Sequence, residues 1–220
     1  MTAGVSALGA RLARAEVMIF DFDGTLVVSN DIKWQAFEAV FQDFPERLPE
    51  ILRYCRGANH TVRGAKFRHV YEEILHRPYT QQIDAALHQT FDALTTAAIV
   101  DAPEIPGAGQ FLSSLRGHKT TGVLSSTPHD VLITILERRG WRQYFDIVQG
   151  APNDKAVWLG AYARAQGLSR DAAVFFGDTP EDRLAAERAA WDFINVGATD
   201  VDAAEWRLVD FTALVPKEKM

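Results

Sequence analysis

Four short stretches of the chain are continuously apolar and β-prone, and each stops at a small or polar residue: Val17–Phe20, Thr121–Leu124, Val174–Phe176 and Phe193–Val196. Runs without in/out alternation predict strands buried on both faces of a parallel sheet. Phe145–Val148 is a weaker fifth run. Between them, apolar positions recur at helical spacing over Gly107–Arg116, Pro128–Arg139, Ala156–Gln166 and Pro180–Ala190. Strands that alternate with helices of this length predict an α/β fold, a doubly wound parallel sheet with right-handed crossovers.

One block interrupts the alternation. From residue 31 to residue 101 the pattern is helical, over Ile32–Phe44, Thr61–Leu75 and Gln81–Ile99, with no convincing strand. That is long for one crossover, since a whole βαβ unit needs only ~30 residues. We read it as an inserted helical domain spanning 31–101, with 1–30 and 102–220 forming the α/β core. Its exit, Pro103-Glu104-Ile105-Pro106-Gly107, is a Pro/Gly hinge of the kind found at domain boundaries.

Composition narrows the function classes. The chain has 220 residues, 47% hydrophobic and 24% charged, as expected of a globular protein with a sizeable core. A net charge of -6 argues against a nucleic-acid binder, which needs a basic surface. Cys55 is the single cysteine, so there is no intrachain disulfide and no cysteine-based zinc site. No apolar run approaches the roughly 18 residues of a membrane span. In Met1–Ala15 the arginines Arg11 and Arg14 follow the apolar part, the reverse of a secretory leader. A short lead-in helix or a frayed end, and a cytoplasmic location, are the expectations.

The chemistry-bearing residues cluster where strands end. Asp21-Phe22-Asp23-Gly24-Thr25-Leu26 follows the first strand directly, and Gly24 forces a turn after two carboxylates. Both acids then lie near the carboxyl edge of the sheet, where open α/β folds bind ligands. An EF-hand loop would need glycine sixth and glutamate twelfth; counted from Asp21, Gly24 is fourth and Ile32 twelfth. In Thr121-Gly122-Val123-Leu124-Ser125-Ser126-Thr127-Pro128 the second run closes on Ser125, with Ser126 as its competitor. Thr127 reads as an N-cap with Pro128 at the first helical position, which would leave free N–H groups beside Ser125 for an anion. Lys155 opens a helix, where a cation opposes the helix dipole and has no local reason to be. Val174-Phe175-Phe176-Gly177-Asp178-Thr179-Pro180-Glu181-Asp182 puts Asp178 at a strand end, and Thr179 with Asp182 reads as a capping-box variant. The chain has no Gly-Lys phosphate loop, no G-x-S-x-G elbow and no HExxH spacing.

These four segments resemble, in order, the four motifs of the haloacid-dehalogenase-like hydrolase superfamily. The resemblance extends from Val17 to about Val196 and implies a Rossmann-like core. It implies that Asp21 is a nucleophile that becomes phosphorylated, and that Asp23 is a general acid and then base. Ser125 and Lys155 would hold the phosphoryl group and the nucleophile, with Gly24 and Ser126 completing the phosphate-binding set. Asp21, Asp178 and the backbone carbonyl of Asp23 would coordinate Mg2+, whose oxygen-only preference such a set suits. Asp182 would act from behind the metal, with Glu181 a weaker alternative. The Lys-Pro pair common in close relatives is missing here, since Ala156 follows Lys155.

An inserted helical cap after the first motif is the arrangement of the phosphoglycolate-phosphatase and β-phosphoglucomutase branches. Such caps close over a site and contact substrate. Arg53, Arg56, His60, Arg63, Lys66 and Arg68 make this one locally basic. Arg63 and Lys66 are the candidates for gripping an anionic substrate, against a reading of the stretch as a solvated face. The expected activity is Mg2+-dependent hydrolysis of a small phosphorylated metabolite. The alternatives are a phosphomutase, a phosphonatase that uses Lys66 as a Schiff base, and a non-catalytic binding module. The last is expected to have lost an acid, whereas Asp21, Asp23 and Asp178 are all present.

Overall fold

The computed structural model describes residues 2–58, 61–197, 201 and 204–215. His60, part of the basic stretch, lies outside the described residues. The chain divides into two compact units, residues 1–28 with 102–220, and residues 29–101.

The first unit is built on six parallel strands: β1 (Val17–Phe20), β2 (Thr120–Pro128), β3 (Ile147–Ala151), β4 (Ala173–Gly177), β5 (Asp192–Val196) and β6 (Trp206–Leu208). They lie in the order β3-β2-β1-β4-β5-β6. The strand order therefore reverses at β1, which pairs with β2 on one side and β4 on the other. This is the switch point at which a doubly wound sheet opens a crevice beyond its carboxyl ends.

Both faces of the sheet are buried, which is why the strands read as unbroken apolar runs. Side chains alternate, so Val17, Ile19, Phe175 and Phe193 face one core. There they meet Leu159 of α8 (Lys155–Gln166), Ala185 and Ala186 of α9 (Pro180–Arg188), and Trp191. On the other face Phe20 stacks on Phe176 at 4.5 Å, and both pack against Phe111 of α6 (Ala108–Leu115) and Phe211. The lead-in helix α1 (Thr2–Arg14) is tied down by buried Arg11, whose Nε donates to Asp192 Oδ2 at 2.5 Å.

Several boundaries differ from those expected. The fifth run begins its pairing at Ile147 rather than Phe145, because residues 142–144 form a 3-10 turn. Strand β6 was not expected: its Arg207 is exposed and it spans three residues, but it pairs with β5 from Ile194↔Trp206 onward. Strand β2 runs to Pro128, and α7 (His129–Arg138) starts after it with Pro128 as its N-cap. Thr127 is therefore not the helix cap, because the strand keeps it.

The second unit is all helical: α2 (Asn30–Val40), α3 (Leu48–Gly57), α4 (Arg63–His69), a π-helical turn at Val70–Ile74, and α5 (Gln81–Asp101). Its core joins Phe37, Phe41, Ile51, Cys55, Phe67 and Phe91. Phe37, Phe67 and Phe91 meet edge to face, an arrangement favoured by the ring quadrupoles. Helix α3 was not expected, and the single helix expected over 61–75 is an α-helix that widens into the π turn. Among the described residues no helix is long and apolar enough to cross a membrane.

Candidate active site

Each of the motif segments of the first unit brings a polar side chain to the carboxyl edge of the sheet. Asp21 directly follows β1, and its N–H continues the ladder by donating to Phe176 O at 2.8 Å. The chain then turns sharply. Gly24 takes φ 80°, a left-handed conformation that suits a residue without a Cβ. Its N–H donates to Val27 O at 2.8 Å, while Leu26 N–H returns to Phe22 O at 2.9 Å. Inside this turn Thr25 Oγ1 donates to Asp178 Oδ1 at 3.2 Å, which links the first motif to the residue that follows β4.

Lys155 is the first residue of α8, capped by Asp154, whose side chain accepts from Val157 N at 3.0 Å. The ammonium accounts for the residue's unfavourable helical position. Its Nζ lies 2.9 Å from Asp21 Oδ1 and 2.7 Å from Asp182 Oδ1. The hydrogen bond is directed at Asp182, and Asp21 Oδ1 receives the charge without one. Asp182 also closes the capping box of α9. Its Oδ2 accepts from Thr179 Oγ1 at 2.6 Å, and its own N–H donates to Thr179 Oγ1 at 3.1 Å. Gly177 makes room for this carboxyl, since a Cβ there would lie 2.5 Å from Asp182 Cβ.

Ser125 is fully buried in β2, and Ser126 beside it is exposed. Ser125 Oγ accepts from Thr127 N–H at 3.0 Å, and Thr127 Oγ1 donates to Asp23 Oδ2 at 2.9 Å. Thr127 and Thr25 each bond a motif carboxylate, and neither was foreseen as a contact. Thr25 sits within the first motif, so its proximity had a signal. Thr127 sits within the second motif, but its local pattern reads as a helix cap and hides the contact.

Asp21, Asp23, Asp178 and Asp182 are all buried. Burial pushes the Asp21 carboxyl up to about 8, with Asp182, Asp178 and Asp23 adding to the rise and Lys155 opposing it. Burial alone would depress Lys155, but Asp182 and Asp21 outweigh it and hold the ammonium above its ordinary value. Negative charge thus exceeds positive charge in this crevice.

Such an excess fits a divalent cation. Carboxylate oxygens of Asp21, Asp178 and Asp182 lie within 4.8 Å of one another. Both oxygens of Asp182 already accept hydrogen bonds, from Lys155 and from Thr179. Hard oxygen donors and few carboxylates suit magnesium.

Arg63 and Lys66 belong to the helical unit. Arg63 Nη1 pairs with Asp92 Oδ1 at 2.7 Å, and its guanidinium stands over the Phe91 ring at 4.5 Å. Lys66 is buried, donates to Cys55 O at 3.0 Å, and lies 5.4 Å from the rings of both Trp34 and Phe37. Burial lowers its pKa below the ordinary lysine value.

No curated protein sequence matches the chain. Solved structures do. CbbY from Rhodobacter sphaeroides in complex with phosphate superposes with a TM-score of 0.71 at 19% identity, over 91% of this chain and 96% of that one. YfnB from Bacillus subtilis, bound to magnesium, gives a TM-score of 0.71 at 14% identity, over 91% and 97%. A subfamily IA hydrolase of the same superfamily from Geobacter sulfurreducens gives 0.63 at 19% identity, over 92% and 95%. At these identities the likeness is one of fold. The sequence profile of haloacid dehalogenase-like hydrolases, however, matches residues 18–196. That span takes in all four motif segments and the acid cluster they build, and the chain belongs to the haloacid dehalogenase-like hydrolase family.

Proposed function

We propose that the protein is a magnesium-dependent phosphatase that hydrolyses a small phosphomonoester through an aspartyl-phosphate on Asp21. The observation that carries this reading is Asp21 itself. It is buried, surrounded by Asp23, Asp178 and Asp182, and held by Lys155 at 2.9 Å. A carboxylate in so acidic a crevice is costly unless a cation joins it, and with a cation it becomes an oriented nucleophile.

Asp21 and Asp178, with the main-chain carbonyl of Asp23, would hold magnesium. When bound it supplies charge neutralisation for the nucleophile and the phosphoryl oxygens. Lys155 opposes the rise in the Asp21 pKa and offers its charge to the same oxygens. Asp182 fixes the ammonium from behind. Asp21 attacks phosphorus in line, and the P–O bond to the leaving alcohol breaks as Asp23 donates its proton to that oxygen. Asp23, now ionised, takes a proton from water, which attacks the aspartyl-phosphate and releases inorganic phosphate. Ser125 is preferred to Ser126 as the phosphoryl contact from the second motif, with Gly24, Ser126 and Lys155 completing the set. Arg63 can keep Asp92 on one nitrogen and present its remaining N–H groups to an anionic substrate. Lys66 can do so only with a movement that uncovers it. The phosphate seen with CbbY and the magnesium seen with YfnB are consistent with this chemistry on this fold.

The test is phosphate release from 4-nitrophenyl phosphate, followed by a panel of phosphorylated metabolites. Activity is expected with magnesium and lost on chelation. Undiminished turnover with all divalent metal removed would falsify the mechanism, and a bisphosphorylated sugar as product would replace the phosphatase by a mutase.

A further inference from the structure

Strand β2 does not end where its apolar run ends. Its register against β3 passes from Leu124↔Gln149 to Pro128↔Ala151, so four steps on β2 face two on β3. Irregularities of this kind take residues out of the ladder and re-aim their side chains, often beside active sites. Gly150 makes room for this one, since a Cβ there would lie 2.7 Å from Thr127 O and 2.5 Å from His129 Cα. The result is a buried Thr127 whose hydroxyl donates to Asp23 Oδ2 at 2.9 Å and whose N–H donates to Ser125 Oγ at 3.0 Å. The hydroxyl does no capping work, because α7 begins at His129 without a side-chain cap.

We propose that Thr127 is a positioning residue for Asp23. Its hydrogen bond holds Oδ2 and so sets the rotation of the carboxyl that carries and delivers the proton. The proposal rests on the phosphatase reading. In the first half-reaction the Asp21 carboxylate forms its bond to phosphorus while the bond from phosphorus to the ester oxygen breaks. The departing electron pair stays on that oxygen, which takes the proton from the Asp23 carboxyl. A carboxyl free to rotate spends less time aligned with the leaving oxygen, and the penalty grows with the basicity of the leaving group.

Phenyl phosphate and 4-nitrophenyl phosphate separate positioning from packing, because phenoxide needs protonation far more than 4-nitrophenoxide. Thr127→Val and Thr127→Ala remove the hydroxyl with and without its bulk, and Thr127→Ser keeps it. In the magnesium-loaded protein, kcat/KM for phenyl phosphate is expected to fall about 10- to 100-fold in Thr127→Val and Thr127→Ala. The nitrophenyl-to-phenyl ratio should rise about tenfold, as it should in Asp23→Asn, and Thr127→Ser should restore it. Equal losses on both esters, with serine no better than valine or alanine, would make Thr127 a packing residue and overturn the proposal. If instead Asp23→Asn hydrolyses phenyl phosphate at the wild-type rate, or the wild type releases phosphate from neither ester, the phosphatase reading itself falls. An impaired Asp23→Asn beside unimpaired Thr127 variants overturns the assignment of Thr127 alone.

Discussion

Replacing Asp21 by asparagine should abolish turnover and yet stabilise the metal-free protein. The folded-state pKa of Asp21 is pushed up to about 8 from an ordinary 3.8, first by burial and then by Asp182, Asp178 and Asp23. Between those values the native state binds a proton that the unfolded chain has lost, so stability falls as pH rises through that window. Each pKa unit is worth about 1.4 kcal/mol, which sets a ceiling of roughly 6 kcal/mol on the cost of ionising Asp21 at pH 8. Relaxation and water entry reduce such penalties, and a gain of about 2–3 kcal/mol is the working figure for Asp21→Asn. For a protein of this size that is about 5–10 °C in Tm. The assay is thermal unfolding with a chelator present, at pH 5 and pH 8. Asp21→Asn should melt higher than wild type at pH 8, with most of the difference gone at pH 5, where wild-type Asp21 carries its proton. Magnesium should raise the wild-type Tm by mass action and raise that of the variant less. A lower Tm for Asp21→Asn at pH 8, or the same gain at both pH values, would refute the view that the site is strained by uncompensated negative charge.

Lys155→Met should lose activity at least 100-fold and cost about 3 kcal/mol at pH 8, because it strands two buried carboxylates that the ammonium contacts at 2.7 and 2.9 Å. Combining it with Asp21→Asn should recover part of that stability, and strict additivity of the two in denaturant unfolding would argue against the pairing. Gly177→Ala places a Cβ 2.5 Å from Asp182 Cβ, and should cost about 1–3 kcal/mol and reduce kcat by displacing the carboxyl that steadies Lys155. A Gly177→Ala protein with wild-type Tm and kcat would show that Asp182 can move without consequence.

Much of the core could be read directly because its physical causes are local. β1, β2, β4 and β5 are buried on both faces, so their residues are apolar without alternation, and all four runs became strands. The capping box at Thr179 and Asp182 was equally legible, since it joins residues three apart. Strand β6 was not, because its pairing depends on backbone groups that β5 leaves open rather than on its own side chains. The helical unit was legible as helical but not in its divisions. Helix α3 carries Arg47, Glu50, Arg53 and Arg56 in or beside it, and only Ile51 and Cys55 are fully buried, too few to mark its core face.

The sequence by itself determined which chemical groups exist and which strand end each follows, because those are matters of adjacency along the chain. It placed Asp21 after β1, Ser125 on β2 and Asp178 after β4. It marked Lys155 as misplaced on its helix, and the resemblance implied that Lys155 holds Asp21. The tertiary structure alone decided that Lys155 also binds Asp182, and that Thr127 donates to Asp23 rather than capping a helix. Those contacts join residues far apart in the chain. Distances of that kind are set by the sheet order and by a local irregularity in β2, neither of which leaves a periodic mark on the sequence.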